Sequence, residues 1–349
     1  MCVRIDPKTF RELLADPAVA ESLSAVSGCA HVIIDVTNRA AGQALVGLES
    51  TALPAVVVVV AADARYLPPE TFGVADVVLT EDETASAPFT APAGGVQAGL
   101  DALGAALAAN PVAGTALALL LRSSAGLTVP AALIAESATY SALQDGAEFR
   151  RWRSGRAARE PEFGTDRVLV ERSGSELRIV LARPARRNAL DWRMRDALAA
   201  ALAVAVREPG LRVVLTGAGP DFCAGGDLDE FGTRPDPAAA HLVRLTRSPA
   251  LLLHRLSTRT TAFLHGACLG AGVELPAFAG RVLAAEETRF ALPELGLGLV
   301  PGAGGTVSVT RRIGRWRTTF LALTGLQVSA HDALRWGLID AIGKPGSAQ

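Results

Sequence analysis

Between Gly266 and Gly305 the chain reads GACLGAGVELPAFAGRVLAAEETRFALPELGLGLVPGAGG, a glycine-rich, apolar run that nevertheless carries Glu274 and Glu294. A carboxylate flanked by Val273, Leu275 and Pro276, or by Leu292, Pro293 and Leu295, is costly to bury unless something compensates its lost hydration. The run therefore restricts the chain to folds that bring backbone close at glycines and carboxylates into an enclosed site. Two such carboxylates together point to acid/base chemistry.

Strand-like and helix-like segments alternate ahead of this run. Short β-branched stretches at His31–Val36, Ala55–Ala61 and Asp76–Leu79 read as strands covered on both faces, as in a mostly parallel sheet. A helix is predicted near Lys8–Leu14, and from Gly95 to Arg153 the apolar spacing is helical, closing with a helix around Ala131–Leu143. The basic stretch RRWRSGRAAREPEFG, Arg150 to Gly164, reads as an inter-domain linker. Beyond it, Val168–Glu171 and Leu177–Ala182 flank Ser173-Gly174-Ser175 as a hairpin. Asp191 is a candidate N-cap for a helix with Leu190, Met194, Leu198 and Leu202 on one face. The strand Arg212–Thr216 ends in a second glycine-rich loop, helical spacing resumes over Ala238–Leu256, and the strand Thr261–Leu264 enters the opening run. This alternation describes an α/β fold whose sites form beyond the carboxyl ends of strands.

At 349 residues, one large domain with additions and two domains both fit. Half the residues are apolar, enough for a sizeable core, and the net charge of −1 gives no global electrostatic reason to expect a nucleic-acid or anionic-membrane partner. The longest apolar run, around Leu53–Ala62, is about half of the ~20 residues a membrane helix needs, and the N-terminus lacks a secretory pattern. No membrane partner and a cytoplasmic location are expected. Cys2, Cys29, Cys223 and Cys268 form no CxxC pair or Cys/His cluster, so neither a metal site nor a disulfide framework is expected. Packing roles are expected for Cys223, Cys268, His241 and His265.

Four segments, RPARRNALD (183–191), GAGPDFCAGGDLDEF (217–231), the run 265–305 and ALRWGLID (333–340), occur in an order that resembles the crotonase, or enoyl-CoA hydratase/isomerase, superfamily over about residues 165–343. The resemblance implies a ββα spiral core acting on an acyl-CoA thioester, with coenzyme A entering as part of the substrate and no metal or redox cofactor. It implies that the thioester oxygen accepts the N–H groups of Gly226 and Ala271, which stabilise the developing enolate. Glu274 and Glu294 are then the acid/base pair that holds a water. Retention of both favours hydration, or the reverse dehydration. The alternatives are isomerisation, hydrolysis or a biosynthetic step on the same site, or a non-catalytic acyl-CoA-binding subunit. By the same likeness Arg187, Asn188 and Ala189, with Arg186 beside them, lie along coenzyme A. Ala224, Asp227, Gly270, Pro293 and Gly302 complete the substrate-binding set, Asp227 by ordering its loop and Gly302–Gly305 by a tight turn beside Glu294. A homo-oligomer is implied, with the trimer as the family's pattern, as is a place in fatty acid metabolism.

Two departures stand out. Ala271 occupies a position that is commonly glycine in the family. Family members also continue beyond the WGLID motif into helices that cover the acyl pocket, whereas this sequence stops at Gln349 and carries similar helical segments between Ala105 and Arg153. VADVVLTEDETASAPF (74–89) loosely parallels FAGRVLAAEETRFALP (278–293), but Thr90-Ala91-Pro92 follows where the second glutamate would stand. The expectation is a degenerate crotonase-like half with lid-type helices over residues 1–160, and a catalytic crotonase core over 161–349.

Overall fold

A computed structural model describes residues 2–156, 166–234 and 236–343. In the first half, β1 (Cys2–Ile5), α1 (Pro7–Leu14), α2 (Val19–Ser22), β2 (His31–Val36), α3 (Arg39–Gln43), β3 (Val56–Ala61), β4 (Val77–Leu79) and β5 (Phe89–Thr90) follow one another. The five strands make one wholly parallel sheet in sequence order. The unbroken valine run of β3 is buried on both faces, as its composition requires. β1 and β5 extend the three expected strands. Neither has the long β-branched run that marks the others.

Four helices follow: α4 (Gly95–Ala109), α5 (Pro111–Ser123), α6 (Val129–Gln144) and α7 (Ala147–Ser154). Pro111 opens α5 at its first position, where a missing N–H costs nothing. Glu148 of α7 accepts the first-turn N–H groups of Val112 and Ala113 at 2.8 and 2.9 Å, a carboxylate placed at the positive end of α5.

The second half opens with the antiparallel hairpin β6 (Val168–Ser173) and β7 (Glu176–Leu181), turned at Gly174 with φ 56°. It continues through α8 (Trp192–Arg207), β8 (Arg212–Gly217), α9 (Pro237–Thr246), α10 (Pro249–Arg255), β9 (Thr260–Leu264), β10 (Ala267–Leu269), α11 (Ala271–Glu274), β11 (Arg281–Ala284), β12 (Arg289–Ala291), α12 (Gly305–Thr324), β13 (Val328–Ser329), α13 (Ala330–Trp336) and β14 (Ala341–Ile342). The six-stranded sheet runs β14-β11-β9-β8-β7-β6, and a three-stranded sheet runs β10-β12-β13. Successive turns place one strand in each sheet and then a helix, β9 and β10 before α11, β11 and β12 before α12: this is the ββα winding. The single helix expected over Ala238–Leu256 is two helices, because Pro249 cannot continue α9 and Ser248 caps α10 by accepting the Leu251 N–H.

The N-terminal sheet repeats the parallel winding without the second sheet. β5 stays beside β4, whereas β12 leaves β11 to pair with β10. The boundary expected at residue 160 lies outside the described residues. On either side of it the halves share one core, in which Val56, Val58 and Leu79 of the first sheet pack with Leu103, Leu107 and Leu117, and with Phe320 and Leu323 of α12. The opposite face of the first sheet packs around Phe10, Leu45 and Val57.

Asp76, at the mouth of β4, ties the halves electrostatically. It accepts the Val57 N–H at 2.8 Å, pairs with buried Arg122 of α5, and lies 3.6 Å from Arg315 of α12. Replacing it leaves two arginines without their carboxylate, so Asp76→Ala should lower unfolding stability by about 3–5 kcal/mol, read as a fall in the denaturant midpoint. An unchanged midpoint would show the pair to be dispensable.

Candidate active site

The site begins where the two glycine loops touch. An added Cβ on Gly225 (φ 95°) would come within 3.1 Å of the Leu269 carbonyl oxygen, so the loop after β8 can press against the loop after β10 only because this position is glycine. This contact brings Gly226 and Ala271 to one wall. Among the described residues, no acceptor takes the N–H of either. Ala271 is the first residue of α11 and has ordinary negative φ, so the exchange from glycine keeps the N–H donor.

Glu274 ends α11 and is 2% exposed. Its Oε2 accepts the N–H groups of Ala303 and Gly305 at 2.7 and 2.8 Å. Glu136 of α6, equally buried, takes the alternate pair: Gly304 N–H at 2.8 Å, Thr306 N–H at 3.0 Å, and the Thr306 hydroxyl at 2.6 Å. Four consecutive N–H groups at the start of α12 are thus divided between two carboxylates, at a helix end whose donors lack intrahelical partners and favour negative charge. The alternation depends on Gly304, whose φ of 108° suits glycine. The glycines from 302 to 305 therefore do more than make the expected turn beside Glu294. They hold Glu274.

Glu294 opens a short 3-10 turn after Pro293 and is 7% exposed. Its Oε1 lies so close to Gly270 that a Cβ there would sit 2.3 Å away, and its Oε2 has no hydrogen-bond partner among the described residues. Burial pushes all three carboxyls up. Glu274 rises to about 7 against the pull of its two N–H bonds. Glu136 rises to about 8, with the Glu274 charge adding to burial. Glu294 lies well above the ordinary range, from burial first and the Glu274 charge second. Protons on such a cluster belong to the group as a whole.

A cavity of about 870 Å³ opens on these acids, and Gly226, Asp227, Ala271, Glu274, Glu294 and Gly302 line it. Asp227 orders the loop as expected, accepting the Asp229 N–H at 3.1 Å and pairing with Arg183 at 2.6 Å. Arg187, Asn188, Ala189, Ala224, Gly270 and Pro293 are not among the residues that line this cavity. Asn188 is fully buried: it accepts the Arg183 N–H and donates to the Ala218 and Asp221 carbonyls, locking the strand ends together. Arg187 is held by Asp221 at 2.6 Å and its carbonyl accepts the Ala224 N–H, so of the adjacent pair it is Arg186 that lines the cavity. Gly270 acts by leaving room for Glu294. His265 bonds the Gly219 carbonyl, His241 meets the Ser137 hydroxyl, and Cys223 and Cys268 are buried, all as packing roles require. Among the described residues no cluster of His, Cys, Asp and Glu is arranged to hold a metal ion.

Sequence reasoning missed Glu136 and Tyr140, both from α6. Tyr140 is buried at the cavity wall, and its ring would clash with any Cβ on Gly302, at 2.4 Å. A signal existed: the two residues stand four apart, on one face of a helix otherwise rich in alanine and leucine.

The model of the family described as enoyl-CoA hydratase/isomerase matches residues 171–344. Over 178 residues the chain is 34% identical to the 2,3-dehydroadipyl-CoA hydratase of Escherichia coli (strain K12), covering 50% of this chain and 68% of that protein. The chain belongs to the enoyl-CoA hydratase/isomerase family. It is also 35% identical over 179 residues to the mevalonyl-coenzyme A hydratase of Beauveria bassiana (strain ARSEF 2860), covering 49% of this chain and 64% of that relative, just under two thirds of its length. Among solved structures, the enoyl-CoA hydratase from Thermoplasma volcanium GSS1 is 32% identical with a TM-score of 0.48, over 51% of this chain and 72% of that one. The family match begins within β6, so Glu136 and Tyr140 reach a family-type site from outside the matched segment.

Proposed function

We propose that the protein is an enoyl-CoA hydratase-type enzyme, adding water to a 2-enoyl-CoA thioester or running the reverse dehydration. The observation that carries this reading is the pairing of Glu274 and Glu294 on one cavity wall with the unengaged N–H groups of Gly226 and Ala271. The thioester oxygen accepts those two N–H groups, which meet the enolate charge in a water-poor site without reorganising. One carboxylate takes a proton from the water while the α-carbon receives one from the pair, and burial tunes both acids toward neutrality, where such transfers are efficient. This chemistry asks for no metal or redox cofactor, and dialysis against a chelator should leave turnover unchanged.

The assay is the ultraviolet loss of the conjugated enoyl thioester, with the product identified by mass. A gain of one water supports hydration, and an unchanged mass with a moved double bond supports isomerisation instead. Residues 1–160 supply the α6 wall in this reading, so the fragment 161–349 is expected to be unstable and inactive; a stable, fully active fragment would refute that division of labour. We place the enzyme in the cytoplasm and as a homo-oligomer with the trimer as first choice, tested by fractionation and light scattering. Among the described residues no single helix is long and apolar enough to cross a membrane, which is compatible with that placement.

A further inference from the structure

Past the acid pair the cavity wall turns polar. Ser137, Tyr140 and Gln144 of α6 and Arg244 of α9 line this stretch. The Arg244 guanidinium carbon lies 4.8 Å over the Tyr140 ring, whose edge packs on Gly302 beside the acids, so Arg244 stands one aromatic ring beyond the reacting groups. Its Nε donates to the Ser137 hydroxyl at 3.0 Å, and its Nη2 to the Ser137 carbonyl at 3.3 Å and to the Ser141 hydroxyl. Among the described residues Nη1 reaches only Gln144 Oε1, at 3.5 Å.

All of these acceptors are neutral. Four other arginines of the cavity are ion-paired: Arg167 with Asp191, Arg183 with Asp227, Arg186 with Asp229 and Arg247 with Asp196. Among the described residues no carboxylate lies within ion-pair distance of Arg244. A half-buried cation so placed keeps much of its desolvation cost. Burial accordingly pulls its pKa down, with Tyr140 and Glu136 opposing and Arg195 adding to the fall. His241 faces the same Ser137 hydroxyl at 2.9 Å. Glu136, the acid whose field reaches Arg244, is itself raised to about 8 and so carries less than a full charge at neutral pH.

We infer that Arg244 receives a carboxylate at the far end of the acyl chain, which makes the substrate class a carboxyacyl-CoA rather than a plain fatty acyl-CoA. The inference rests on the acyl-CoA reading above and deepens it. A wall built for an alkyl tail would be apolar here. The under-bonded Nη1 corner instead offers a charge-assisted hydrogen bond to an incoming anion, with Gln144 beside it. If Arg244 served only to pin α9 to α6, a terminal carboxylate would gain nothing.

Calorimetric binding to the full chain separates the two. The probes are saturated succinyl-, glutaryl- and adipoyl-CoA, each against its ω-methyl ester, with coenzyme A as reference. At least one diacid thioester should bind about tenfold or more tightly than its ester, the gap shrinking with salt and closing in Arg244→Gln. No gap in the unaltered protein, or a gap that survives Arg244→Gln, overturns the inference; if that variant does not fold, the ester comparison alone decides. Thioesters that bind without acid preference sink the carboxylate site and leave the acyl-CoA reading standing. Failure of every thioester and of coenzyme A to bind sinks both.

Discussion

Glu274→Gln and Glu294→Gln should each lower hydration turnover by about two to four orders of magnitude, the range of a positioned general acid or base. The carboxamides keep the shape of the acids but cannot exchange a proton, so thioester binding should change far less than turnover. The two substitutions should differ in a second respect. Glu274 is anchored by two N–H groups and rises to about 7, whereas Glu294 has an unpartnered oxygen and is pushed by burial well above the ordinary carboxylate range. The acid limb of the pH–rate profile should therefore fall near 7 and disappear or move in Glu274→Gln, while the unpartnered Glu294 oxygen, free to meet water or substrate, should make Glu294→Gln the more damaging change at every pH. Unchanged turnover in both variants would refute the assigned roles.

The second large effect is expected at Glu136, which lies outside the matched family segment and is hydrogen-bonded to it through the turn it holds. Glu136→Ala strands two backbone donors and one hydroxyl in a buried place, at about 1–3 kcal/mol for each group left unpaired. A loosened turn also frees Glu274, and misplacement by about 1 Å is enough to cost on the order of a hundredfold in turnover. The same acid sets a pH signature. Glu136 and Glu274 have ordinary values of 4.5 and rise in the fold to about 8 and about 7, so the native state holds the extra protons in that window. Stability present below about 4.5 is then lost as pH climbs toward 8, with a slope of about 1.4 kcal/mol per pH unit for each retained proton. Denaturation midpoints at pH 5 and pH 8 check the sign, and Glu136→Gln should flatten the difference. A midpoint that rises with pH would contradict it.

The catalytic half was legible because its constraints are local. Gly225, Gly270 and Gly304 sit where positive φ or close approach leaves no alternative, and Glu274 follows Ala271 by about a helical turn. Arg187 and Asn188 are less legible, because a polar pair before a helix reads the same whether it faces a ligand or locks two strand ends. The Ala218 and Asp221 carbonyls that hold Asn188 lie some thirty residues onward, beyond what that pattern can show. Glu136 was hidden for the same reason on a larger scale: its spacing from Tyr140 marks a helix face but not what that face meets. Its partners come from the opposite end of the chain, and no spacing rule reaches that far.

That reach has a consequence for synthesis. Glu136 meets the Gly304 and Thr306 N–H groups across sequence separations of 168 and 170 residues. A chain emerging from the ribosome exposes this acid, the face of α6 around it and the Asp76–Arg122 pair awaiting Arg315 until α12 has been made. Such distant closure slows folding and lengthens the interval in which apolar surface is open to other molecules. The first half of this protein waits for the last helices of the second, and its dependence on chaperones should track how quickly residues beyond 300 arrive.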